Sequence, residues 1–349
     1  MARAFKLKKI IWSIDAFEDK EGLQEKAARI LSIFQDRMFA QIEPVFVLTA
    51  TDLSLPNDYG TEWMCEFQQN LKRHLEEVLL GSGFPHVLTP KILVEPLAST
   101  SASIENLLDF AIHEKADMII VSSHGRKGLD RFFLGSFAES LLVHSPIPVM
   151  VIGAKTSIEA DIDRILLPTD FGQNSREAFR RTVTLAQEMG AKVTIFHSVP
   201  VPSSVVMDTG YYPSVNGIEG EMVNFDSFMN AQTENQEKRA KAWSDWAQAM
   251  GTECDYIIDA TGENIEDQIC DAAKTFSSNL IVMEGQSGPI KAALLGSVTR
   301  SVVRASPCPV LVLPTLSLEK EAELATPHNE YKTMDLGFAR STYAPKLEI

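Results

Sequence analysis

The residues best placed to do chemistry lie between Val121 and Ile152, in VSSHGRKGLDRFFLGSFAESLLVHSPIPVMVI. A short apolar run, Met118 to Val121, ends in the small-residue turn Ser122-Ser123-His124-Gly125. Nine residues separate Gly125 from Gly135-Ser136, where a helical pattern opens with Phe137, Leu141 and Leu142. Ser145-Pro146 stops that pattern, and Pro148 leads into a last apolar run that ends at Ile152. The order is strand, glycine loop, helix, strand. Glycine lets backbone approach a ligand closely. A helix start presents unpaired N–H groups and partial positive charge. Together they can hold a phosphate.

The stretch occurs twice. LGSVTRSVVRASPCPVLVL, Leu295 to Leu313, aligns with LGSFAESLLVHSPIPVMVI, Leu134 to Ile152. The Gly-Ser start, the apolar pair, Ser-Pro and Pro-Val all fall in register. A duplication of this length divides the chain into two similar domains. The expected bounds are 1–154 and 163–315, with a tail over 316–349.

Composition narrows the function. The 349 residues suit two domains of ordinary size. A net charge of −15 argues against a general nucleic-acid or anionic-membrane surface. No apolar run approaches the roughly 20 residues of a membrane span. The basic N-terminus, MARAFKLKKIIWSID, reads as the approach to a strand and not as a signal peptide. Cys65, Cys254, Cys270 and Cys308 have no metal-like spacing. No metal site is expected, and the thiols point to a reducing compartment.

Strands and helices alternate along the whole chain. Strands are expected at Lys8–Asp15, Val45–Thr49, His86–Val94, Met118–Val121 and Val149–Ile152. Helices fall between them, over about 20–39, 62–80 and from 101. After a polar link, 154–163, strands recur at Ile165–Asp170, Lys192–Val199, Cys254–Ile258, Leu280–Met283 and Pro309–Leu313. Helices are expected over Ser175–Met189 and about 227–250, and around Ile265 to Ala273. Short apolar strands alternating with helices mean a parallel sheet covered on both faces. The segment 200–225 is rich in Pro, Gly, Ser and Tyr, and reads as a lid or interaction element.

With these motifs in place, the chain resembles the universal stress protein family from Lys8 to Pro314. Nucleotide-binding members carry Gly, two residues, Gly, nine residues, then Gly-Ser or Gly-Thr. The first half reads Ser122, two residues, Gly125, nine residues, Gly135-Ser136, departing only at Ser122. The first-strand acid is matched by Asp15 and Asp170, and family wording recurs in LLPTDF, FHSV and LIVM. The resemblance implies two tandem five-stranded parallel α/β domains whose last strands pair as an intramolecular pseudo-dimer. It implies ATP or another adenine nucleotide, with Mg, in the first half. Gly125, Gly135, Ser136 and Phe137 would supply donors to the phosphates, with Arg126 and Lys127 as added positive charge. Asp15 and Ser122 would lie at the ribose, and the backbone of Ala50 at adenine. A cytoplasmic sensor or signalling protein of the stress response is the implied function, with a further homodimer left open.

The second half departs more. Glu284 stands where a small uncharged residue is expected, and an acid there repels phosphate. Only seven residues separate Gly288 from Gly296, and Pro289 removes a donor. This half is expected to bind no triphosphate, or to bind something smaller.

Plainer readings stand beside these. Gly125 and Gly135 also fit simple turns, and Asp15 an end-of-strand cap. His124 and His197 have no nucleophile at a recognisable spacing, so hydrogen-bonding roles suit them better. Tyr211 and Tyr212 fit loop packing as well as base stacking. P-loop, dinucleotide and Ser-elbow motifs are missing, and no general base is placed, so no enzyme is expected. The alternative function is a nucleotide-independent interaction module with both loops as relics.

Overall fold

Short runs of Ile, Leu, Val and Met build the strands, and helices with one apolar stripe cover them. A computed structural model describes residues 7–15, 22–49, 61–82, 89–95, 99–123, 134–157, 161–172, 175–200, 225–262, 264–285 and 295–314. The first half contains β1 (Lys9–Ser13), α1 (Leu23–Met38), β2 (Gln41–Thr49), α2 (Thr61–Gly81) and β3 (Lys91–Glu95). It continues with α3 (Thr100–His113), β4 (Met118–Ser122), α4 (Ser136–His144) and β5 (Val149–Ile152). The second half contains β6 (Arg164–Pro168), α5 (Ser175–Met189), β7 (Lys192–Ser198), α6 (Phe225–Ala249) and β8 (Cys254–Asp259). It closes with α7 (Ile265–Thr275), β9 (Leu280–Glu284), α8 (Ser297–Ala305) and β10 (Val310–Leu313).

The strands form one ten-stranded sheet in the order β3-β2-β1-β4-β5-β10-β9-β6-β7-β8. Each half contributes five strands that run parallel, in mirrored order. The halves meet where β5 and β10 pair antiparallel, with Val310 opposite Val151, Leu311 opposite Met150 and Val312 opposite Val149. One apolar core lies under α1, α2, α5 and α6, and another under α3, α4, α7 and α8. Both cores draw residues from both halves. All eight residues of β5 and β10 are at most 3% exposed. Strands buried on both faces must be apolar throughout, which is why VMVI and VLVL show no alternation.

The duplication extends to local hydrogen bonds. Ser145 Oγ accepts from the N–H of Ile147 and donates to its carbonyl. Ser306 does the same with Cys308. These rings end α4 and α8 before the prolines that lead into the seam. Ahead of β4, the Asp117 carboxylate accepts from the N–H groups of Lys8 and Lys9. Ahead of β9, Asn279 Oδ1 accepts from those of Asp163 and Arg164.

Three expectations shift. β2 starts at Gln41 and not at Val45, because Glu43, which breaks the apolar run, is buried and paired with Lys9 at 2.8 Å. β3 runs over Lys91–Glu95, later than expected, with 83–88 outside the described residues. β1 and β6 end two residues before their acids, Asp15 and Asp170. The expected 200–225 element and the 316–349 tail fall almost wholly outside the described residues.

Candidate functional site

In an open parallel sheet, ligands sit beyond the carboxyl ends of the strands where the strand order reverses. From β1 the chain moves outward to β2 and then returns to β4, so the first reversal lies between β1 and β4. Asp15 follows β1 there, and Ser122 ends β4. The sheet therefore carries both residues to one crevice. Among the described residues, the buried Ser122 Oγ has no hydrogen-bond partner. Buried hydroxyls are nearly always paired, so this one is open to a partner from outside them.

Beside it starts α4. Gly135 is its N-cap, in extended conformation, and no side chain caps the helix. The N–H of Gly135 donates to the Ser123 carbonyl at 2.7 Å. That bond commits a donor which the resemblance assigned to phosphate. The donors left without an intrahelical acceptor are the N–H groups of Ser136, Phe137 and Ala138. Glu139 in the first turn is an acid, but Arg300 of the second half lies 2.8 Å from it and balances its charge. Ala50, Gly125 and Arg126 lie outside the described residues, as does His124.

The equivalent crevice of the second half lies between β6 and β9 and is built differently. Glu284 takes the place of Ser122, since Glu284 pairs with Leu313 in β10 as Ser122 pairs with Ile152 in β5. Asp170 Oδ1 accepts from the N–H of Gly172 at 2.7 Å and from Ser175 Oγ at 2.5 Å. Ser175 Oγ is also 3.5 Å from Glu284 Oε2. Two carboxylates thus share one hydroxyl, whereas the first half has the neutral Ser122 in the place of Glu284. Thr299 Oγ1 donates to the Glu284 carbonyl and ties this corner to the start of α8. The N–H of Gly296 donates to the Gly285 carbonyl, repeating the Gly135 bond.

His197 has a structural role. Its Nδ1–H donates to the Thr169 carbonyl at 2.7 Å, while Nε2 is buried and unpartnered. Burial holds its pKa below the usual value. Phe171, at φ +56°, packs 5.0 Å from its ring and edge-on to Trp243. Burial also pushes the thiols up, Cys254 to about 12 and Cys270 to about 11, so both are inert. Among the described residues, no group of three or more His, Cys, Asp or Glu is arranged to hold a metal. No described helix is long and apolar enough to cross a membrane.

A duplicated parallel α/β sheet with glycine-started helices at its switch points defines a recognisable class. The sequence profile of the universal stress protein family matches residues 100–153 and 161–314, and the chain belongs to that family. A universal stress protein of Thermus aquaticus is 30% identical over 86 residues, which cover 25% of this chain and 63% of that protein. Another, from Methanocaldococcus jannaschii, is 37% identical over 62 residues, 18% of this chain and 35% of its own. The chain therefore spans less than two thirds of either relative. The crystal structure of a universal stress protein from Archaeoglobus fulgidus superposes with a TM-score of 0.60 at 18% identity, covering 89% of this chain and 97% of that one. At that identity the likeness speaks for the fold alone.

Proposed function

We propose that the first half holds ATP or a related adenine nucleotide and that the chain acts as a sensor or signalling module in a stress response. The observation that carries this is the unpartnered Ser122 hydroxyl, beside an uncapped helix start, at the β1/β4 switch point. The residues fit the ligand. Ser122 would bond a ribose hydroxyl, with Asp15 as a further acceptor. The N–H groups of Ser136 and Phe137 would meet the phosphates, and Mg would neutralise them further. Arg126 and the backbone of Ala50 belong to this proposal from the sequence alone.

Turnover is no part of the proposal. The seam between β5 and β10 supports reading the chain as an intramolecular pseudo-dimer. The buried, inert thiols of Cys254 and Cys270 support a reducing, cytoplasmic setting.

Calorimetry with ATP and Mg tests the site. One binding event per chain is expected, and Gly135→Val, which puts a branched side chain where phosphate approaches, should abolish it. Binding that survives this change, with the melting temperature unaltered, overturns the assignment. A rate of phosphate release of roughly 1 s⁻¹ or more, lost in the same variant, would mark an enzyme instead.

A further inference from the structure

The seam contains a mark of partner choice. Glu139 is the fourth residue after Gly135, and Arg300 the fourth after Gly296. They occupy the same position in the two copies of the duplicated segment. A residue that touches its own counterpart lies on the axis relating the halves. Leu311 opposite Met150 is such a pair in the sheet. Glu139 with Arg300 is the second, on the helices that cover one face, with Arg300 Nε 2.8 Å from Glu139 Oε1. The N–H is not aligned on the oxygen, so this is a charge contact and not a formed hydrogen bond. Both side chains are about one third exposed, at 36% and 30%.

The strand pairing itself is indifferent to which half meets which. Val149, Met150 and Val151 face Val312, Leu311 and Val310. Two first halves would pair Val, Met and Val with the same set, and two second halves Val, Leu and Val. Volumes and polarity barely change, and cores tolerate such swaps. The axis position is different. Two first halves would set Glu139 against Glu139, and two second halves Arg300 against Arg300. Only a first half against a second half gives opposite charges. Discrimination through a repulsive element against the wrong partner is a general device of specific interfaces.

We infer that the Glu139–Arg300 pair is the specificity element of this seam, and that the partner this face accepts is the complementary half and not a second copy of the same half. The inference rests on the seam geometry and stands apart from the nucleotide reading.

The test uses the full chain. Glu139→Arg reproduces the charge of two second halves meeting, and Arg300→Glu that of two first halves. Each should lower the melting temperature by about 2–4 °C. The penalty should shrink as salt is raised from 0.05 to 0.5 M, where screening shortens from over 10 Å to a few Å. The double variant E139R/R300E restores opposite charges and should melt within about 1 °C of the parent. Single variants as stable as the parent would show that the axis charge discriminates nothing. A double variant that only adds the two losses would show that packing, and not charge, sets the seam. Either result overturns the inference.

Discussion

The two switch-point crevices began as copies and now carry opposite chemistry. Between β1 and β4 a neutral hydroxyl, Ser122 Oγ, is buried and unpartnered beside an uncapped helix. Between β6 and β9 the corresponding position is Glu284, joined through Ser175 to Asp170. The backbone frames match, down to the bond that starts α4 and α8. At the strand ends the difference is one of side chains, Ser122 in the first half and Glu284 in the second. The strands that carry both sites belong to the core, so the fold holds while the polar residues at the strand ends differ.

The largest test of how far the halves can diverge lies at their seam. Val149→Lys with Val151→Lys puts two charges into strands that are 1% exposed at both positions. We expect a loss of about 4 kcal/mol or more and a melting temperature at least 10 °C lower. A chain that melts as before would mean the seam is not what joins the halves.

A smaller effect sharpens the contrast between crevices. Glu284→Ser gives the second half the residue that the first has at β4. The number of tight ATP sites in calorimetry should stay at one per chain. The shorter span from Gly288 to Gly296 and Pro289 both remain. A second tight site would show that the charge of Glu284 alone separates the halves.

The smallest effect concerns pH. Phe46 in β2 holds the register place that His197 holds in β7. His197 has its pKa lowered in the fold, so the unfolded chain takes up its proton first as pH falls. Its contribution is present above the unfolded value near 6.5 and is lost as pH drops below it. His197→Phe should therefore flatten the fall in stability between pH 7 and pH 5, seen in denaturant melts. An unchanged slope would clear His197 of that role.

The sequence carries the architecture clearly, for physical reasons. α5 occupies Ser175–Met189 as its apolar spacing and flanking turns require. The repeated Pro-Val-x-Val runs announce strands buried on both faces. What stayed hidden depends on partners far along the chain. Glu43 looks like a strand breaker until Lys9 is beside it. The same holds for Asp170 with Ser175 and Glu284, and for Glu139 with Arg300. The loop spacing makes Gly135 a donor to ligand, yet its N–H is held by the Ser123 carbonyl, a bond that spacing cannot reveal. The identity of Ser122 was visible, but its lack of a partner was not.

The position of the seam also sets a schedule for synthesis. β5 is complete at Ile152, but its neighbour β10 is not made until Leu313. At about 5–20 residues per second, the ribosome needs roughly 8–30 s to cover that interval. Throughout it the first half presents a bare apolar edge, next to other nascent chains on the same message. Edges of this kind template pairing between chains. Glu139 sits beside that edge on every one of those chains, so nascent first halves meet with like charges until their own second halves arrive.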